Sequence, residues 1–181
     1  GMRGYLKTGL YSKVTAEYHH LQEYRRGGDN LHLPPHEAMI AEQVRHSINT
    51  GSLKYDWFSR DERHHLNVFG SVQHINRESY YGAGKDPNAY GETYDLTWVL
   101  GGQYVYKFEN CLFMPADLTA GIEYNQDHLK DNMWGYGRVT DQLIRIGSAY
   151  LQNEWKNARW SFLLGGRLDK HNLIDGLIFS P

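Results

Sequence analysis

From Tyr90 to Phe108 the chain reads YGETYDLTWVLGGQYVYKF. Its even positions include Tyr94, Leu96, Trp98, Leu100, Gly102, Tyr104, Tyr106 and Phe108, and its odd positions Asp95, Thr97, Gln103 and Lys107. A period of two puts one apolar and one mostly polar face on a β-strand. From Tyr94 to Phe108, at ~3.4 Å per residue, this strand is roughly 50 Å long. Soluble strands usually stop at about 5–6 residues, whereas a tilted strand crossing a bilayer needs about 9–11. The aromatic residues gather toward the two ends, with Leu96 and Leu100 between them, as in the girdles of an outer-membrane barrel strand. Trp98, in the middle, fits that pattern less well. Taken alone, the stretch suits either a membrane barrel or a long strand of a soluble sandwich.

The same alternation recurs along the chain. Leu6, Leu10, Val14, Ala16 and Tyr18 predict one strand over 5–24, ending at Arg25-Arg26-Gly27-Gly28-Asp29. Between Glu37 and Phe58, Ile40, Val44 and Ile48 have even parity, but Leu53, Tyr55 and Trp57 have odd parity. The flip across Asn49-Thr50-Gly51 means either a hairpin turn or a β-bulge. Further strands are predicted over 65–76, 118–124, 143–155 and 159–170; in the strand over 143–155, Ile144, Ile146 and Tyr150 are expected to face outward. If 37–58 is one bulged strand, long loops at 25–36, 77–91 and 125–141 fall on one side. Shorter links at 59–64, 109–117 and 156–158 then fall on the other. Outer-membrane barrels have that asymmetry. The bulge is therefore preferred, giving about seven strands in an all-β, antiparallel up-and-down meander that forms part of a large transmembrane barrel.

Composition adds limits. Net charge is −2 over 181 residues, with no basic run to suggest nucleic acid. Fourteen tyrosines and 19 glycines against 5 prolines favour strands and turns. Mean hydropathy is −0.66 and no apolar run nears the ~18 residues of a membrane helix, a test blind to barrel strands. Cys111 is the only cysteine, so no intrachain disulfide forms. Gly1 ahead of Met2 and the ending LIFSP, inside a strand pattern, suggest a piece of a longer protein.

Three stretches carry a resemblance: HLQEYRRGGDNLHLPPHEAMIAEQ, SVQHINRESYYG and AYLQNEWKNARWSFLLGGRLDKHN, the last followed by IFSP. They resemble the barrel of TonB-dependent outer-membrane receptors of Bacteroidetes-type bacteria, closest to the siderophore- and cobalamin-receptor-like branch. The resemblance covers nearly the whole chain and implies a 22-stranded, plugged barrel in the parent protein. It also implies an outer-membrane location, capture of a small scarce nutrient at the extracellular mouth, and import energised by TonB. The sequence departs from the family in showing neither a plug domain nor a TonB-contacting N-terminal segment. TonB contact is thus assigned to a part of the parent outside this stretch, and no family functional residue carries over.

Candidate chemistry is sparse. Of ten histidines, His19-His20 and His64-His65 are adjacent and so face opposite ways on a strand. His32, His36 and Asp29 share a loop, but zinc sites need three or four convergent ligands, so no metal site is assigned. Glu17 with Glu23, and Asp127 with Asp131, read as solvated lumen charges rather than a catalytic pair. Gly101-Gly102 and Gly165-Gly166 suggest close packing or bending. With no nucleophile or phosphate-loop motif, no enzyme activity and no cofactor are expected. The loop aromatics Tyr80, Tyr81, Tyr90, Trp134 and Tyr136 are the candidate ligand-binding residues, with girdle or loop packing as the competing reading. The alternatives are a soluble β-sandwich or small barrel binding sugar or lipid and, more remotely, a zinc hydrolase. Unpaired sheet edges and an apolar outer face also require covering by lipid, detergent, self-association or closure.

Overall fold

The structure, a computed structural model, describes residues 1–181. Nine strands form one antiparallel sheet in chain order: β1 (Met2–Gly9), β2 (Ser12–Gly28), β3 (Ile40–Phe58), β4 (His64–Ala83), β5 (Tyr90–Cys111), β6 (Met114–Met133), β7 (Arg138–Lys156), β8 (Ser161–His171) and β9 (Ile178–Ser180). The meander is open, with no pairing between β1 and β9. There is no second sheet, so the two-layer sandwich alternative is not the fold. Only 17 of 181 residues are buried, whereas 111 of the 125 backbone hydrogen bonds lie within the regular elements. The hydrogen-bonded ladder, not an apolar core, holds the sheet together.

Register assigns every side chain to one of two faces. The apolar face carries Val14–Tyr18 of β2, Leu53–Trp57 of β3, Leu66–Val72 of β4, Leu96–Phe108 of β5, Ala116–Tyr124 of β6, Ala149–Trp155 of β7 and Phe162–Leu168 of β8, counting alternate residues in each. Toward the 84–89 loop the same face turns polar, with His20, Asn49, His74 and His128 in one register row that only Leu96 of β5 interrupts. On β6 and β7 the face already turns polar one row nearer the opposite rim, at the register partners Gln126 and Arg145, and on β8 two rows nearer, at Lys170. A boundary that steps between neighbouring strands is what tilted strands make against a flat interface. On β5, Leu96 to Phe108 spans about 40 Å, which projects to about 29 Å at a ~45° tilt, close to a bilayer's ~30 Å hydrocarbon thickness.

Several expectations are corrected. The span 5–24 is two strands, turning at Leu10-Tyr11. A register shift between Lys7 and Gly9 keeps even residues of β1 and β2 on one face, so the turn leaves the parity pattern intact. β3 is one strand, but its pairing with β2 and β4 is unbroken and contains no bulge. Its parity flips because β3 leaves the apolar band at Gly51: beyond it Asn49, Ser47 and Arg45 continue the same face, and Ile48, Val44 and Ile40 lie on the other. Ile144, Ile146 and Tyr150 lie on the polar face, opposite to expectation, because Arg145 sits on the apolar side just past the band. The long loops shrink to 84–89 and 134–137, because β4 through β7 extend into them. Only 29–39, with its 3-10 turn at Pro35–Glu37, keeps most of its predicted length. Opposite them lie the tight turns at 10–11, 59–63, 112–113 and 157–160. Strand extension preserves the expected alternation of sides.

The polar face is the better-buried one. Thr15, Asp56, Asn67, Asp131 and Ser148 are buried there, while Leu100 and Ile122 on the apolar face are 55% and 69% exposed. Tyr150 on β7 donates a hydrogen bond to Gln103 on β5 (2.9 Å), and Arg77 on β4 reaches Asp131 on β6 (3.5 Å). Spanning a strand in this way is behaviour of the inner side of a curled sheet. Gly101 and Gly121 lie beneath the rings of Phe69 and Tyr150 on this face, and Gly166 packs against Phe179 on the other. These approaches answer the close packing read from two of the glycine pairs.

Candidate functional site

Three loops interlock at the rim where the strands outrun the apolar band. Arg26, Gln43, Tyr80 and Tyr90 are register partners on β2, β3, β4 and β5, on the outward, apolar-band side of the sheet. The 29–39 loop folds over them. Ala38, Ala41, Tyr80 and Ala89 form a small core with Tyr90 packed against it. Tyr80 is 0% exposed, stands edge-on to Tyr90 at 4.9 Å and donates its hydroxyl to the Asp86 carbonyl (2.8 Å). The Tyr90 hydroxyl is 2.7 Å from Nδ1 of His36. Arg26 donates to the Gly27 carbonyl (2.7 Å), and its Nη2 is buried without a partner. Gly28, at φ +103°, starts the loop where a Cβ would strike the Ile40 carbonyl.

Tyr80 and Tyr90 are therefore the packing residues of this rim. Tyr81 sits on the polar face, and its carbonyl accepts a hydrogen bond from Tyr136 (3.3 Å), whose ring is 67% exposed. Trp134 is 51% exposed. With Gln43, Glu78, Pro87, Asn88, Tyr90 and Glu92, Trp134 borders an open cleft of about 390 Å³ on the outward side. The five candidate aromatics thus divide: two hold the loops together, two present open rings, and Tyr81 contributes its backbone.

The histidines and carboxylates weighed as possible sites are dispersed. Asp29 accepts a hydrogen bond from the Ile40 amide (3.0 Å), and His36 is engaged with Tyr90, so the two do not converge with His32. No group of three or more His, Cys, Asp or Glu side chains is arranged to hold a metal ion. Glu17 pairs with Arg3 (2.9 Å), and Glu23 with Arg25 (2.6 Å) and His46 (3.3 Å).

Sequence reading passed over the density of polar links on the inner face. Asp131, 7% exposed, accepts from Thr93 (2.6 Å) and Arg138 (2.7 Å) besides Arg77. Asp56 meets His65 (3.1 Å), Asn67 (3.0 Å) and Lys54 (3.5 Å). Arg167 joins Glu123, Ser148 and Asp169. The signal was present in the polar parity positions, but apart from Lys54–Asp56 and Arg167–Asp169, which lie on one strand, the partners come from neighbouring or second-neighbour strands, whose pairing one strand's pattern does not reveal. In the tight turn 59–63, the Ser59 hydroxyl, followed by the Arg63 amide, holds the Asp61 carboxyl below its ordinary range.

Comparison with family models, curated proteins and solved structures finds no match to this chain.

Proposed function

We propose that this chain is part of the wall of an outer-membrane β-barrel of the TonB-dependent receptor type. The parent protein captures a scarce nutrient, such as a siderophore or cobalamin, and imports it using energy delivered through TonB. One observation carries the membrane reading: the sheet leaves its apolar face open and ties up its polar face in hydrogen bonds and ion pairs. A water-soluble sheet does the opposite, whereas a barrel wall needs lipid outside and a polar lumen. Receptor and transport roles rest on the sequence resemblance. The rim of interlocked loops is the extracellular end in this reading, with Trp134 and Tyr136 as the exposed rings nearest an incoming ligand. TonB contact belongs to other parts of the parent, and the wall performs no catalysis.

Refolding the chain into detergent micelles or phospholipid vesicles tests the wall. A gain of strand signal by circular dichroism, with the band strands protected from trypsin, is expected; refolding without strand signal contradicts it. Import is tested separately in the native bacterium. Deleting the gene is expected to abolish energy-dependent uptake of one labelled ferric siderophore or corrinoid, and unchanged uptake of all of them contradicts the transport role.

A further inference from the structure

The apolar face is not uniform. On β6, β7 and β8 it is hollowed into a trough of about 550 Å³, walled by Leu118, Leu151, Leu164, Leu168, Trp155 and Phe179, with Asn153 the one polar side chain of this face among them. Small residues make the hollow: Ala149 lies in the same register row as Leu168, and Gly166 pairs with Leu151. Trp155 closes the lower end, stacked between Phe113 (5.8 Å) and Phe162 (5.6 Å). From Ala149 to Trp155 the trough runs about 20 Å along the strand, or about 14 Å along the membrane normal at a ~45° tilt. That is about the depth of one leaflet, half of a ~30 Å core.

Two cations stand over the upper end, on the same face and strands. Lys170 is two residues above Leu168, and Arg145 is four above Ala149. The Arg145 guanidinium makes no ion pair within 4.0 Å; only its backbone is engaged, the amide donating to the Asn172 side chain (2.8 Å) and the carbonyl accepting from the Asn172 amide (3.0 Å). The Lys170 ammonium donates to the carbonyls of Ile174 and Gly176 (both 3.2 Å), leaving a third proton unused. Lys130, on the same face of β6, lies at the limit of pairing with Asp141 (4.0 Å). Elsewhere in this collar Arg45 pairs with Glu78 (3.5 Å) and lies over the Tyr24 ring, and Arg26, which has no ion pair, is half-buried beneath the 29–39 loop rather than open to a ligand. Exposed, unmatched positive charge therefore stands above this trough; a second, smaller hollow of about 440 Å³ over β3–β5, lined by Gly51, Leu53, Gly70, Val72, Trp98 and Leu100, has no such pair of free cations above it.

We propose that the outward face of β6–β8 is a docking site for one phosphorylated lipid of the leaflet on the long-loop side. An acyl chain lies in the trough, and the headgroup phosphate meets Arg145 and Lys170. Guanidinium and ammonium groups both suit phosphate oxygens, and the spacing puts the charge where a leaflet's headgroups begin. The site rests on the membrane-wall reading and names a specific lipid partner for that wall.

The test uses the full chain refolded in non-ionic detergent, with retained lipids counted by native mass spectrometry. The probes are a phosphatidic acid and a phosphatidylcholine with identical acyl chains. The wild-type chain is expected to hold one phosphatidic acid about 10–30-fold more tightly, the effect of two cations near an anionic headgroup. Arg145→Glu with Lys170→Glu is expected to abolish that preference, Ala149→Trp to weaken retention of both lipids, and Arg45→Glu to change neither. Equal retention of the two lipids by the wild type, or a preference that survives the double substitution, overturns the proposal. Both outcomes occur in chains that have inserted and formed strands, so they are distinct from failure of the wall itself, which appears as no strand signal in detergent.

Discussion

Two residues show how differently the same sheet uses its two sides. Tyr80 is enclosed at the loop rim and tethers the 84–89 loop through its hydroxyl. Tyr80→Ala removes the ring from the only small core, and a cost of about 3 kcal/mol is expected. Its measurable sign is faster tryptic cleavage at Lys85, whereas Tyr136→Ala, which removes an exposed ring, leaves that cleavage unchanged. Asp131 works on the inner face by holding Arg77 and Arg138 together. Asp131→Ala leaves two guanidinium groups facing one another, one of them in a half-buried position with an unpaired Nε. A destabilisation of about 3 kcal/mol is expected, seen as a lower urea midpoint in micelles; an unshifted midpoint contradicts the structural role given to this network. Tyr80 was legible in the sequence as an aromatic of a long loop, but its enclosure was not. Enclosure depends on the 29–39 loop crossing to a row of residues whose alignment is set by three separate strand pairings.

Among the elements, β3 separates pattern from register. Its apolar parity flips, and a flip alone cannot distinguish a bulge from a strand that passes out of an apolar environment. The structure gives the second answer: Val44 pairs with Ser79 and Lys54 with Phe69 in one continuous register. In a Cys111→Ser background, cysteine pairs at 44/79 and at 54/69 are both expected to oxidise to disulfides, because directly opposed strand residues meet the required separation of about 4.4–6.8 Å between Cα atoms. A bulge at 49–51 would offset one pair by a residue, so efficient cross-linking of only one contradicts the straight strand. The first hairpin illustrates the converse. A turn with a compensating register shift leaves parity untouched, so β1 and β2 read as one strand. The alternation of sides was legible because each strand's polarity pattern is local. The strand ends were not, since beyond the band the apolar parity lapses or changes face, as at Ile48, Val44 and Ile40 of β3, while the backbone ladder continues.

At the level of the whole molecule, the open apolar face and the linked polar face define opposite environments. Leu100→Arg, on the apolar side, is expected to cost about 2–4 kcal/mol and to reduce incorporation into vesicles, as a cation at mid-bilayer does on a barrel's lipid face. Val99→Arg, one residue away on the polar side, is expected to be tolerated; equal effects contradict the assignment of faces. The period-two pattern made the all-β meander legible, but not the extra strands at either end or the trough over β6–β8, which arises from Ala149 and Gly166 coming together between larger neighbours. The central claim is that the apolar face lies against hydrocarbon. Its most direct measurement is fluorescence quenching of single-tryptophan variants in vesicles of lipids brominated along their acyl chains. Strong quenching is expected for the variant retaining only Trp98 and little for the one retaining only Trp134, with aqueous iodide giving the reverse order. A Trp98 left bright by the brominated chains, in protein that has bound the vesicles and formed strands, contradicts the account.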